Sequence, residues 1–302
     1  MKILKPMEPV LKEEVPPSGD HFFQVKWDGI RLLAYINWSK NSDVQLFTKN
    51  GGKRQTNYPE LLDLKEITNG NSCILDGEVC VLDQRGQANF FRILKRDRIR
   101  EPSGEVIKKY PVKLILFDVL FWKGKWQLEI PLWKRYRLLK KAVYPHKHTK
   151  IIENYLDGEK LLGKTQDLDL EGIVAKEKGG YYYPGRKHSG WIKIKNFKIK
   201  KAQIVGLILE KNRPKSLVLA DNQLNYLGRV SVGVTQREME TIYREWKQVE
   251  SEGYAKIKTR EILNPGERIL WGPIGLGAKI RYIQVTPKGT LRSPVVLSFY
   301  KA

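Results

Sequence analysis

Lys26-Trp27-Asp28-Gly29-Ile30-Arg31 is the stretch on which the reading of this chain turns. It sets a lysine at the end of one apolar, β-prone run, His21–Val25, and an arginine at the start of another, Arg31–Trp38. The turn-forming Asp28-Gly29 lies between them. Alone, K-x-D-G-x-R is equally a charged hairpin turn. Further strings give it company: Asp76-Gly77-Glu78 inside the strand-like Ser72–Leu82, Phe117-Asp118 inside Val112–Phe121, Glu171-Gly172-Ile173-Val174-Ala175-Lys176, and Trp191-Ile192-Lys193-Ile194-Lys195. In a strand, Lys193 and Lys195 point to one face while Ile192 and Ile194 point to the other. Two cations side by side on an otherwise apolar strand are unfavourable unless an anion sits above them.

The charge of the whole chain says the same. Its 302 residues carry 55 Lys+Arg against 33 Asp+Glu, a formal net charge of +22 that calls for a polyanionic partner, nucleic acid or an anionic membrane surface. The excess is not a basic tail: residues 1–196 carry 36 basic and 24 acidic residues, and 197–302 carry 19 and 9. No apolar run approaches the roughly 18 residues of a membrane span, and Lys12, Glu13 and Glu14 interrupt the start where a secretory signal would be apolar. Cys73 and Cys80 are too few for a disulfide framework or a four-cysteine zinc site and read as core fillers.

At 302 residues two domains are expected. The first half interleaves strands with a few helices, among them Trp133–Val143 after Pro131. Phe197–Lys201, charged and short, reads as the boundary, followed by a strand at Gln203–Leu209. Short strands at Ser216–Leu219, Leu227–Val234 and Ala278–Val285, with one helix over Thr235–Val249, fit a small barrel such as an OB-fold. That helix opens with a Thr235-x-x-Glu238 capping box. The run Arg92–Arg100 reads as a solvated helix face or a phosphate-contacting ridge. His146 and His148 lack a nearby third metal ligand.

The order of the five strings resembles the covalent nucleotidyltransferase superfamily: ATP-dependent DNA ligases, RNA ligases and mRNA capping enzymes. The E-G-I-V-x-K form at Glu171–Lys176, the P-G-R at Pro184–Arg186 and the W-x-K-x-K ending look most like a DNA ligase. Met7, Pro9 and Leu11, with Y-L-G-R-V at Tyr226–Val230, look closest to the ligase module of bacterial end-joining ligases. The resemblance implies an α+β fold: a nucleotidyltransferase (adenylation) domain of ATP-grasp-like antiparallel sheets with helices over 1–196, then a β-barrel OB-fold over 197–302. It implies nick sealing through a lysyl-AMP and a DNA-adenylate, with ATP and Mg²⁺ (or Mn²⁺) as cofactors. Lys26 would be the nucleophile. A free lysine is deprotonated in only about one molecule in a few thousand at pH 7, a handicap of roughly 4–5 kcal/mol that neighbouring cations and desolvation reduce. Arg31, Glu78, Phe117, Arg186, Lys193 and Lys195 would bind ATP or AMP; Glu78, Glu171 and Asp28 would serve the metal; Lys49, Arg54 and Arg229 would contact DNA. For Phe117, plain core packing is as good a reading as base stacking.

The same resemblance implies nicked or broken duplex DNA as partner, a Ku-type end-binding protein or separate polymerase as accessory, and a monomer in the bacterial cytoplasm at the nucleoid. An RNA ligase, a guanylyltransferase or a catalytically silent nucleic-acid-binding protein are the competing readings. With only 25 residues before Lys26, no helical DNA-binding domain or fused polymerase and nuclease modules are expected, and two basic domains hinged at Phe197–Lys201 would grip the duplex. Neutralising about eight phosphates gives a salt slope near −7. The chain departs from the family at three places. Lys49 stands in T-K-N-G where T-R-N-G or S-R-N-G is common, keeping the charge and losing the fork. Gln24 stands where glutamate is common. The ending Leu297–Ala302 lacks the R-x-D-K motif whose basic residues orient pyrophosphate during self-adenylation.

Overall fold

A computed structural model describes residues 3–39, 42–68, 71–248, 257 and 263–301. The chain divides into two compact units, Met1–Asn196 and Phe197–Ala302. The first contains β1 (Glu8–Leu11), β2 (His21–Val25), β3 (Ile30–Ser39), β4 (Ser42–Thr48), β5 (Cys73–Val81), α1 (Phe90–Asp97), α2 (Gly104–Lys109), β6 (Val112–Trp122), β7 (Lys125–Trp126), α3 (Leu132–Ala142), β8 (Thr149–Ile151), α4 (Gly158–Asp167), β9 (Gly172–Glu177) and β10 (Lys187–Lys195).

These strands form two sheets. One runs β4-β3-β5-β6-β7 with β8 also on β6; the other runs β1-β10-β9-β2. Strands apolar on both faces are what a layered fold requires. In β3, Leu32, Ala34 and Ile36 enter one core under α1 and α3, while Leu33 and Tyr35 enter a second core. That second core lies between the sheets and also takes in Tyr182 and Trp191. A third buries Phe23, Ile173, Ala175, Ile192 and Ile194 with Leu161 of α4. The alternation expected in β10 is therefore real: the isoleucines go under α4 and the lysines share the opposite face with Trp191.

Lys26–Arg31 does not cap a hairpin. β2 pairs with β9, and β3 pairs with β4 and β5, so the turn carries the chain from one sheet to the other. It lies so close to β5 that a Cβ on Gly29 would collide with the Val79 carbonyl oxygen and Cys80 Sγ. Only glycine fits there.

The second unit contains β11 (Lys198–Glu210), β12 (Arg213–Ala220), β13 (Tyr226–Val230), α5 (Gln236–Gln248), β14 (Glu267–Trp271), β15 (Leu276–Tyr282) and β16 (Val295–Lys301). Its antiparallel order is β13-β12-β11-β15-β16, with β14 sharing the edge of the long β11, a half-barrel sheet of the OB type. Ile242 and Trp246 of α5 pack into its core. The capping box forms as expected: Glu238 N–H donates to Thr235 Oγ1 at 3.2 Å, and Thr235 N–H donates to Glu238 Oε2 at 2.7 Å. Val249, the expected helix end, lies outside the described residues. The stretch expected to be a boundary and hinge is largely strand. Lys198–Lys201 pairs with β15, so β11 begins five residues before Gln203.

Candidate active site

A cleft of about 480 Å³ opens in the first unit, lined by Lys26, Arg31, Glu78, Phe117, Lys176, Trp191 and Lys193 among others. Lys26 directly follows β2, and its backbone N–H donates to the Gly172 carbonyl at 2.9 Å. That bond sets it beside Glu171, whose Oε2 accepts from Lys26 Nζ at 2.6 Å and whose Oε1 pairs with Lys195 Nζ at 2.7 Å. Burial opposes a charged Glu171, yet Lys26 and Lys195 outweigh it and hold the carboxyl below the usual range. Gly172 makes this junction possible. Its φ is +134°, and a Cβ there would run into the Ile194 carbonyl oxygen. Lys193 is pushed below the ordinary lysine value by burial and by Lys195 and Lys26. The field around Lys26 is thus partly the expected cationic one, but its nearest charged neighbour is a carboxylate.

Arg31 lies deeper. Its Nε and Nη2 fork onto Asp76 at 2.5 and 2.6 Å, and Tyr182 donates to the same carboxylate at 2.7 Å. Burial would weaken the guanidinium charge, and Asp76 more than restores it. The guanidinium carbon sits 4.4 Å from the Phe117 ring centre and 5.4 Å from that of Trp191. Lys176 approaches the same rings, 4.1 and 3.9 Å from their centres. It is 2% exposed, and its Nζ has no hydrogen-bond partner. Burial lowers it to about 7. Phe117 therefore both belongs to the core and lines the cleft.

Asp76, Lys176 and Trp191 lie within the motif strings, yet the sequence alone assigns them no role. The available signal was period two: Ile74, Asp76 and Glu78 share one face of β5, as Val174 and Lys176 share one face of β9. Other expected site residues lie elsewhere. Arg186 does not reach the cleft; it lines a separate exposed groove with Tyr181, Tyr183 and Glu129. The Gly185 turn, with φ +70°, sews this segment to the N-terminal stretch through Gly185 N–H to the Lys5 carbonyl and Glu8 N–H to the Arg186 carbonyl. Asp28 is half-buried and is not among the residues lining the cleft.

Lys49 lines the cleft mouth and pairs with Glu8 at 3.2 Å, both side chains nearly half exposed. Arg54, also on the cleft, pairs with Asp97 at 2.6 Å. Arg229, in the second unit, is forked onto Glu267 with two bonds of 2.8 Å, and Glu267 also takes Lys215. In the basic run at 92–100, Arg96 is buried against Glu60, so that run is only partly a solvated face. Both cysteines are buried, and burial raises their thiols far above the reactive range.

The carboxylates near Lys26 that could take a divalent cation are Glu78 and Glu171. Burial pushes the Glu78 carboxyl up to about 7 despite Lys26 and Arg31, an unfavourable state that a hard cation relieves. Glu171 is buried beside Lys26, with its two carboxylate oxygens taken by Lys26 and Lys195. Among the described residues no three His, Cys, Asp or Glu side chains gather as a preformed metal cage, so the remaining ligands would be phosphate oxygens and water.

Two packed sheets walling a lysine-lined cleft, followed by a half-barrel, define a nucleotidyltransferase-type ligase fold. Two solved structures share it. The mycobacterial DNA ligase D complexed with ATP and MES superposes with a TM-score of 0.58 at 24% identity, covering 99% of this chain and 95% of that one. A Lig E DNA ligase gives 0.67 at 16% identity, covering 99% and 100%. The chain belongs to the ATP dependent DNA ligase domain family, whose model matches residues 2–195. Among its relatives is the multifunctional non-homologous end joining DNA repair protein LigD of Mycobacterium tuberculosis H37Rv, 27% identical over 286 residues, covering 89% of this chain and 35% of LigD. A DNA ligase of Methanosphaera stadtmanae is 29% identical over 206 residues, covering 64% of this chain and 36% of that protein. The chain thus spans about a third of the length of these relatives.

Proposed function

We propose that the protein is an ATP-dependent DNA ligase that seals nicks between a 5′-phosphate and a 3′-hydroxyl, with Lys26 as the residue that carries AMP. The observation that supports this most is the placement of Lys26 Nζ, 2.6 Å from Glu171 and beside Lys193 and Lys195, in a cleft lined by Phe117, Trp191 and Lys176. In this reading residues 1–196 form the adenylation domain and 197–302 an OB domain. The aromatic rings take the adenine, Lys176 supplies a buried donor toward it, and Arg31, locked by Asp76, holds the ribose side of the cleft. Lys193 and Lys195 meet the α-phosphate, where cations aimed at developing charge lower the barrier. Glu171 fixes Lys26 Nζ until the nucleotide arrives and then releases it to attack.

Mg²⁺, held by Glu78 and Glu171, would neutralise phosphate charge and polarise the phosphorus under attack. Nicked or broken duplex DNA is the second substrate, and likeness to LigD suggests end joining, with a Ku-type end-binding protein or a separate polymerase as accessory. Phosphate contacts on a chain of charge +22 are blind to sequence, which suits repair at any break. Incubation with α-labelled ATP and Mg²⁺, then a chase with nicked DNA, tests the reading. Label should appear on the protein and leave with sealed product. Label from GTP alone, or none from either nucleotide, would refute it.

A further inference from the structure

We propose that Asp97 is a positioning residue that aims Arg54 at the terminal 5′-phosphate of the DNA strand being joined; this rests on the ligase reading above. Two arginines line the cleft; Arg31 lies deep in it, with its Nε and Nη2 held by Asp76 and the Met7 carbonyl. Lys49, at the place where the resembled pattern carries arginine, faces Glu8 and lacks the planar fork that matches two oxygens of one phosphate. Arg54 keeps the fork. Its Nε and Nη2 donate to Asp97 at 2.6 and 3.3 Å, and its Nη1 donates to the Lys53 carbonyl at 2.9 Å. Those bonds use three of the five guanidinium N–H groups and leave one on each Nη for a ligand.

The direction of that fork is set from the core. Asp97 ends α1, and the buried Tyr58 donates to its Oδ1 at 2.7 Å. Asn57 Nδ2 donates to the Asp97 carbonyl at 2.8 Å, and the adjoining Arg96 is buried against Glu60. A side chain at the cleft rim is thereby fixed by packed residues rather than left to a surface rotamer, as a phosphate-recognition group needs. The step served is the transfer of AMP to DNA. An oxygen of the 5′-phosphate attacks the phosphorus of lysyl-AMP and a P–O bond forms. The P–N bond to Lys26 Nζ breaks, its electron pair stays on nitrogen, and the amine takes up a proton.

Charge and positioning predict opposite signs. If Asp97 acted only as a negative charge, its removal would improve phosphate binding; if it holds the fork, its removal weakens it. The test uses the full chain charged with α-labelled ATP and Mg²⁺, then mixed with nicked DNA that has or lacks the 5′-phosphate. Asp97→Ala, and the isosteric Asp97→Asn in case the alanine variant does not fold, should take label within about twofold of wild type. AMP transfer should fall about 10- to 100-fold, the worth of a charge-assisted hydrogen bond. The loss should lie mainly in KM for nicked DNA, while affinity for the nick without its 5′-phosphate stays unchanged. Asp97→Asn combined with Arg54→Gln should be no worse than Arg54→Gln alone. Faster or unchanged transfer by Asp97→Asn, or a loss of labelling equal to the loss of transfer, would overturn the proposal. No label on the wild-type protein would instead remove the ligase reading and this proposal with it.

Discussion

Replacing Lys176 by methionine should stabilise the protein while impairing nucleotide binding. The side chain is 2% exposed, its Nζ lacks a hydrogen-bond partner, and burial lowers it from 10.5 to about 7. A drop of that size corresponds to about 5 kcal/mol of penalty on the charged form. The Phe117 and Trp191 rings return up to about 2 kcal/mol each when a cation is desolvated against them, leaving a net gain for methionine of about 1–3 kcal/mol. The sign with pH follows from linkage. Between about pH 7 and 10.5 the unfolded lysine is protonated and the folded one is not, so wild-type stability rises relative to Lys176→Met across that window. The advantage of the variant is full below pH 7 and fades toward pH 10.5. Urea unfolding of both proteins at several pH values between 6 and 10, with ATP affinity measured alongside, tests this. A variant less stable than wild type at pH 6, a pH-independent difference, or unaltered ATP affinity would refute the reasoning.

Other substitutions follow from the same geometry. Asp76→Asn leaves the buried Arg31 guanidinium without its counter-charge and should cost about 3–5 kcal/mol in denaturant unfolding, with labelling from ATP lost. Wild-type stability in that variant would contradict the assigned pairing. Gly172→Ala forces a side chain into a backbone of φ +134° against the Ile194 carbonyl, so its Tm should fall by many degrees in calorimetry, whereas an unchanged Tm would contradict the close approach. Arg229→Ala should destabilise the second unit yet leave the salt slope of DNA binding unchanged, because Glu267 already occupies the guanidinium. A slope shallower by about one would show a phosphate contact instead.

The parts of the fold legible in the sequence are those with a local period. The Lys193/Lys195 against Ile192/Ile194 alternation and the Thr235–Glu238 box need only their own neighbours, and both form as read. Strand pairing is different. β2 looked like one arm of a hairpin with β3, but its partner β9 lies about 150 residues on, and nothing local to Asp28-Gly29 reports that. The segment Lys198–Lys201 looked like a linker because it is charged, and it is strand because β15 supplies its hydrogen bonds.

Within the site, the ordered motifs single out Lys26, Glu171 and Lys195, and the Glu171 carboxylate joins the two lysines. Asp76 and Lys176 stayed without a role because a buried ion pair and a buried lone ammonium look like surface charges in a string of letters. For Arg186 the string and the local fold point to different places. The P-G-R string matched the family, while the turn at Gly185 faces its side chain toward another groove.

Mass spectrometry of the protein after incubation with ATP and a divalent cation tests the central claim most directly. The account predicts one added AMP per chain, located by peptide mapping on Lys26 and discharged by nicked DNA. AMP on any other lysine, or an adduct that persists in Lys26→Ala, would contradict it.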